Sequence, residues 1–120
     1  MAVQSYKDLL VWQRGIDLVE QVYNLTDRLP DHERFGLVSQ MRRCAISVPS
    51  NIAEGSRRKN GLEFLQFLRV ADGSASELET QLIIVGRRYQ DVDVRLVQEL
   101  LVEVQRMLGG MMTAIRKRAS

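Results

Sequence analysis

Among 120 residues there are 1 cysteine, 1 histidine and 2 prolines, and aromatic side chains make up only 6%. A single cysteine excludes an intramolecular disulfide and fits a reducing compartment. No Ser-His-Asp set, phosphate-cradling glycine loop or zinc-ligand spacing is present, so the chain is read as non-enzymatic, with no cofactor. No apolar run approaches the roughly 18 residues that a membrane span needs. The opening Met-Ala-Val-Gln-Ser-Tyr-Lys-Asp has no signal-peptide core, and a cytoplasmic location without membrane contact is expected. Net charge is only +2, with a pI ≈ 9.0. That excess is too mild to identify a polyanionic partner, so the placement of the cations matters more than their total.

What is present is a run of amphipathic helices in one domain spanning residues 1–120. Hydrophobic residues make up 45% and charged residues 27%, ordinary values for a soluble globular chain. The organising stretch is Arg42–Arg58. Met41, Cys44 (or Ala45), Val48 and Ile52 fall at helical steps and form an apolar stripe. Arg43, Ser47, Asn51, Glu54 and Arg58 form a second stripe that is wholly polar. Between them sits Pro49, which removes a backbone donor and costs about 3 kcal/mol in a helix interior. The expectation is one continuous helix, kinked at Pro49, whose loss is recovered by packing or function; the rival is a break, with Pro49 as the first residue of a new short helix. It opens near Gly36, with Leu37 as first core residue, and ends between Gly55 and Lys59, where Gly55 is either a left-handed cap or part of the helix.

The first helix is expected from Ser5, which with Asp8 resembles a capping box. Its core face would be Trp12, Ile16, Val19 and Tyr23, widened by Leu9 and Val22, and Pro30 closes it. The third starts at an Asn60 cap and carries Leu65, Leu68, Ala75, Leu78, Leu82, Val85 and Tyr89, ambiguous only at Ala71–Asp72. Gly73-Ser74-Ala75-Ser76 at its centre would let another helix come close, opposite the polar stripe. The fourth follows a cap at Asp91 or Asp93 and carries Val97, Leu100, Leu101, Val104, Leu108, Met111 and Ile115. Gly109-Gly110 within it implies a tight contact or fraying, at about 2 kcal/mol in propensity. No stretch shows strand alternation. Short loops make the helices antiparallel neighbours, so the fold class is all-α, an up-down-up-down four-helix bundle.

Each chemical candidate has a structural rival. The stripe of Arg43, Ser47, Asn51 and Glu54, joined by Glu77, could bind a ligand, but a register-fixing hydrogen-bond network is the better reading. Glu54, Glu77 and Glu79 invite comparison with di-metal bundles, which need Glu-x-x-His pairs; His32 lies in a polar connection, so no metal is expected. Cys44 reads as a small core residue. Trp12 and Tyr23 could stack on bases, but their spacing assigns them to the core, leaving Tyr6 freer. The antiparallel topology gathers Lys7, Arg57, Arg58, Lys59, Arg116, Lys117 and Arg118 at one end of the bundle, against Asp8, Glu54 and Glu63. The opposite end mixes both signs evenly. Cations also suit helix C-termini without any ligand. Apolar Leu10, Val11, Val38, Val70, Ile84 and Val102 lie beyond the core stripes, which points to self-association.

Three blocks carry a family resemblance: Asp8-Leu9-Leu10-Val11-Trp12-Gln13; Gly36-Leu37 through Gln40, Arg42-Arg43 and Ser47-Val48-Pro49-Ser50-Asn51-Ile52-Ala53-Glu54-Gly55; and Gly73-Ser74 with Glu77-Leu78-Glu79. Together they resemble the four-helix-bundle proteins encoded in intervening sequences of bacterial large-subunit ribosomal RNA genes. That family is similar to the accessory protein of diversity-generating retroelements. The resemblance runs from about Tyr6 to Leu82; the chain departs from the pattern after that. It implies a bundle assembled as a homo-oligomeric ring, a pentamer first of all, with Arg43, Ser47, Asn51, Glu54, Ser74 and Glu77 as the family-motif polar network. The retroelement relatives bind a reverse transcriptase and nucleic acid. Two functions follow as expectations: an RNA- or DNA-binding bundle acting through its basic end, and a protein-interaction adaptor for a larger enzyme such as a reverse transcriptase.

Overall fold

The computed structural model describes residues 5–119. The expectation about a signal peptide rests partly on residues 1–4, which lie outside the described residues. Among the described residues there are four α-helices: α1 (Leu10–Thr26), α2 (Ser39–Ser56), α3 (Gly61–Arg88) and α4 (Arg95–Ala119). Each packs on the next and α4 closes against α1, giving a four-helix bundle of 46 × 22 × 21 Å. None of the described helices is long and apolar enough to cross a membrane.

Ser5 does cap, but it caps a single 3₁₀ turn, Tyr6–Asp8, by accepting from the Lys7 N–H at 3.2 Å. Extended backbone at Leu9 then delays α1 to Leu10. The buried face of α1 is Val11, Gly15, Leu18, Val22 and Leu25, one position away from the expected Trp12, Ile16, Val19 and Tyr23; of the two residues expected to widen that face, Val22 is buried and Leu9 half-buried. Trp12 is half-buried and Tyr23 exposed. The reason is Gly15: a Cβ there would stand 3.3 Å from Pro49 Cβ. The α2 backbone approaches α1 across that bare position, so α1 turns its glycine side inward and its largest ring to the flank. This is also where Pro49 is buried, and its packing offsets part of the lost backbone bond. The helix runs continuously through it.

A single π-type turn, Arg34–Val38, precedes α2 and holds non-helical backbone at Gly36 (φ −107, ψ −108). Leu37 is therefore only half-buried, and Met41 is the first fully buried residue of the helix. The Tyr89 hydroxyl, just past α3, donates to Glu33 before this turn, and His32 Nε2 lies 3.2 Å from the same hydroxyl. The Tyr89 bond holds the Glu33 carboxyl below the usual range.

In α3 the expected face is buried from Leu65 to Val85, with Ala71 resolving the ambiguous position. The Asn60 side chain caps it, accepting from Leu62 N–H at 2.7 Å. The buried face of α4 is Val97, Leu101, Val104, Leu108 and Met112, while Leu100, Met111 and Ile115 are half-buried. Gly109 and Gly110 make no tight contact, since a Cβ at either would meet nothing within 4 Å. Val11 belongs to the core, and Leu10, Val70, Ile84 and Val102 remain exposed.

Of the two cap candidates, Asp93 is the one that binds Arg95, the first residue of α4. Its Oδ1 accepts from the Arg95 backbone N–H at 3.0 Å and from Arg95 Nε at 3.1 Å, while Oδ2 takes Arg95 Nη2 at 3.0 Å. These bonds from Arg95 hold the Asp93 carboxyl at about 2. A depressed carboxylate stabilises the fold above its unfolded value, and that contribution fades as pH falls from about 4 through about 2. Carbon-detected NMR titration should place the Asp93 midpoint near 2, and Arg95→Ala should move it up toward the ordinary value.

Candidate functional site

The polar stripe of α2 meets the small-residue segment of α3, as expected. The Ser74 hydroxyl donates to Ser47 Oγ at 2.8 Å. Asn51 Nδ2 donates to Ser47 Oγ at 3.0 Å and to the Ser47 carbonyl at 2.8 Å. These three side chains are half-buried and form one connected set across the two helices. Arg43, Glu54 and Glu77 are exposed. Glu54 pairs with Arg58 at 3.5 Å instead, a solvent-exposed contact that is worth little. Glu77 accepts from the Cys44 thiol at 3.5 Å. Among the described residues no group of three His, Cys, Asp or Glu side chains could hold a metal ion.

Beneath Glu77 lies Gln81, which the helical pattern did not single out. It is buried to 8% exposure. Its Nε2 contacts Cys44 Sγ at 3.6 Å, and its Oε1 is buried without a partner. Burial pushes the Cys44 thiol above its ordinary value, which keeps it protonated and unreactive. An unsatisfied buried carbonyl costs about 1–3 kcal/mol. Gln81→Met keeps the shape and removes the amide, so it should raise thermal stability by about 1–2 kcal/mol, measured by calorimetry.

Arg42, sequence neighbour of the stripe, is turned to the mixed end. Its Nε donates to Thr26 Oγ1 at 2.9 Å, its Nη2 pairs with Asp27 at 2.8 Å, and its guanidinium lies 4.3 Å from the centre of the Tyr23 ring. The buried Thr26 in turn donates to the Val22 carbonyl at 2.8 Å. The arrangement fastens α2 to the end of α1.

At the other end, the start of α1, the end of α2, the start of α3 and the end of α4 come together. Leu9, Leu62, Phe64, Met111, Ile115 and Arg118 line a shared cleft of about 640 Å³. Lys7, Arg57, Arg58, Lys59, Arg116, Lys117 and Arg118 are all exposed around this end, as are Asp8, Glu54 and Glu63. Arg58, just past α2, bridges Glu54 and lies 4.8 Å over the Phe67 ring. The end of α2 is pressed tightly on α3: a Cβ on Gly55 would lie 2.6 Å from Phe67 Cβ and 2.8 Å from Phe64 Cδ1. Gly55 is helical, and no glycine among the described residues has positive φ. Of its two expected roles, left-handed cap and helical residue, the second holds, and close approach is its reason.

These features fall on the quoted motif blocks: the polar set on Ser47, Asn51 and Ser74, and the two close approaches on Pro49 and Gly55. No curated protein is similar enough to the chain to be matched. A family model does match over residues 7–110, most of the length, and the chain belongs to the 23S rRNA-intervening sequence protein family.

Proposed function

We propose that this protein is a non-enzymatic bundle that associates with itself, as a ring of five copies by first choice, and binds structured RNA through its basic end. The observation that supports this is the meeting of seven cations, from Lys7 to Arg118, with only three carboxylates where four helix ends converge. Ring assembly would repeat that end around an axis and strengthen its field. Exposed Leu10, Val70, Ile84 and Val102 supply apolar surface for self-association.

Two measurements test this. Light scattering at micromolar concentration should give several times the monomer mass of 13.7 kDa. Fluorescence anisotropy with an RNA hairpin should show affinity falling steeply with salt. A second reading rests on the exposed α3 side chains Val70, Ile83 and Ile84, which also suit docking on a larger enzyme such as a reverse transcriptase. No RNA binding at low salt by an assembled protein selects that adaptor reading.

A further inference from the structure

We propose that the cleft between the start of α3 and the end of α4 binds a small amphiphilic anion, an aliphatic body carrying one carboxylate, of the fatty-acid kind. The volume, about 640 Å³, falls in the range that small-molecule sites occupy. The lining is hydrocarbon from three elements: Leu9 ahead of α1, Leu62 and Phe64 on α3, and Met111 and Ile115 on α4. Leu62 is left 55% exposed, apolar surface that an occupant would remove from water at a gain of about 25 cal/mol per Å².

The polar inventory decides the chemistry of the occupant. Asn60 lines the cleft, but its Oδ1 is already committed to the Leu62 N–H. Among the described residues Arg118 is the one charged side chain in the lining, and Lys7, Arg57, Lys59 and Arg116 stand exposed at the same end. A nucleobase would bring several hydrogen-bonding edges to walls with almost no partners for them, and each unpaired group would be penalised. A neutral hydrocarbon would make no use of the cations. An aliphatic chain with a single carboxylate fills the apolar walls and presents its charge to Arg118. Asp8, Glu54 and Glu63 are the opposing charges of this end, and none of them lines the cleft. This site uses the apolar floor and, of the basic-end cations, Arg118 alone, so it goes beyond RNA binding and stands without it.

The test is a fluorescence titration with cis-parinaric acid, kept below micelle formation, alongside its uncharged methyl ester. The wild-type protein should bind the acid saturably, one per chain, and more tightly than the ester. Arg118→Ala should weaken the acid about tenfold and leave the ester unchanged. Leu62→Glu, a change at an exposed position that circular dichroism should show to be folded, should abolish binding of both. Absence of saturable binding, equal affinity of acid and ester for the wild type, or wild-type affinity in Leu62→Glu would each overturn the proposal. Failure of RNA binding would leave these results unaffected, so the two readings fail separately.

Discussion

Gly55→Ala is expected to destabilise the bundle by about 2 kcal/mol and lower the melting temperature by about 8 °C. Helix propensity alone predicts the opposite sign, a gain of about 1 kcal/mol for replacing an interior glycine. Sterics should win, because the added methyl would lie 2.6 Å from Phe67 Cβ and 2.8 Å from Phe64 Cδ1. A Cβ cannot swing away like the tip of a long side chain, so α3 itself must move off α2. That displacement loosens Leu65 and Leu68, both in the core. Gly109→Ala is the matched comparison: nothing lies within 4 Å of its new methyl, and it should gain the propensity term undiminished. Phe67→Ala should fail to rescue Gly55→Ala, since alanine keeps the offending Cβ. A Gly55→Ala protein that melts at or above the wild-type temperature would mean that the two helices are not held at this separation.

Replacing Arg57, Arg58 and Lys59 together by alanine is expected to weaken RNA binding by one to two orders of magnitude near physiological salt. Each phosphate contact contributes about 0.7–0.9 to the log–log salt slope, so losing three should flatten the slope by about 2–3 units. The fold should survive. All three side chains are exposed, and the Arg58–Glu54 bridge is a surface pair of small value. Loss of the Arg58 contact with the Phe67 ring should cost about 0.5–1 kcal/mol, visible as a small shift in melting temperature. Arg87→Ala with Arg88→Ala, at the end where Asp91, Asp93 and Glu33 balance the cations, should weaken binding much less. Wild-type affinity in the triple variant would remove the basic end as the RNA contact.

The two outcomes depend on features that differed in how far they could be read in advance. The helices, their order and the faces of α3 and α4 follow from the spacing of Leu65, Leu68, Leu78, Leu82, Val97, Val104 and Leu108, because a bundle core is written in periodic bulk. The convergence of four helix ends follows from short loops alone. What bulk cannot reveal is where two backbones touch. Gly15 and Gly55 are invisible to a search for apolar stripes, yet they set how α1 and α3 sit on α2. Ranking α1 by its large side chains therefore selected Trp12 and Tyr23 and placed the face one position off. Spacing aligned the polar residues of α2 but could not tell that Ser47 and Asn51 would turn to Ser74 while Arg43 and Glu54 stayed in water. Gln81 gave one signal in retrospect: it occupies a helical step between Leu78 and Val85, on the core side.

The succession of neighbour-on-neighbour contacts also has a kinetic meaning. Among the described residues the closure of α4 on α1 joins the helices most distant in the chain, and the larger interfaces, α1 on α2, α2 on α3 and α3 on α4, are hairpins. Bundles of this kind have low contact order and fold on a timescale of about microseconds to milliseconds. The connection between α2 and α3 is residues 57–60, so bringing these two helices together costs little loop-closure entropy. Their crossing at Gly55, Phe64 and Phe67 is thus placed to form early, with α4 docking across the short connection 89–94 and α1, joined through the longer connection 27–38, arriving last. On that order Gly55→Ala should slow refolding, whereas truncations in α1 such as Leu18→Ala, fully buried, should act mainly by speeding unfolding.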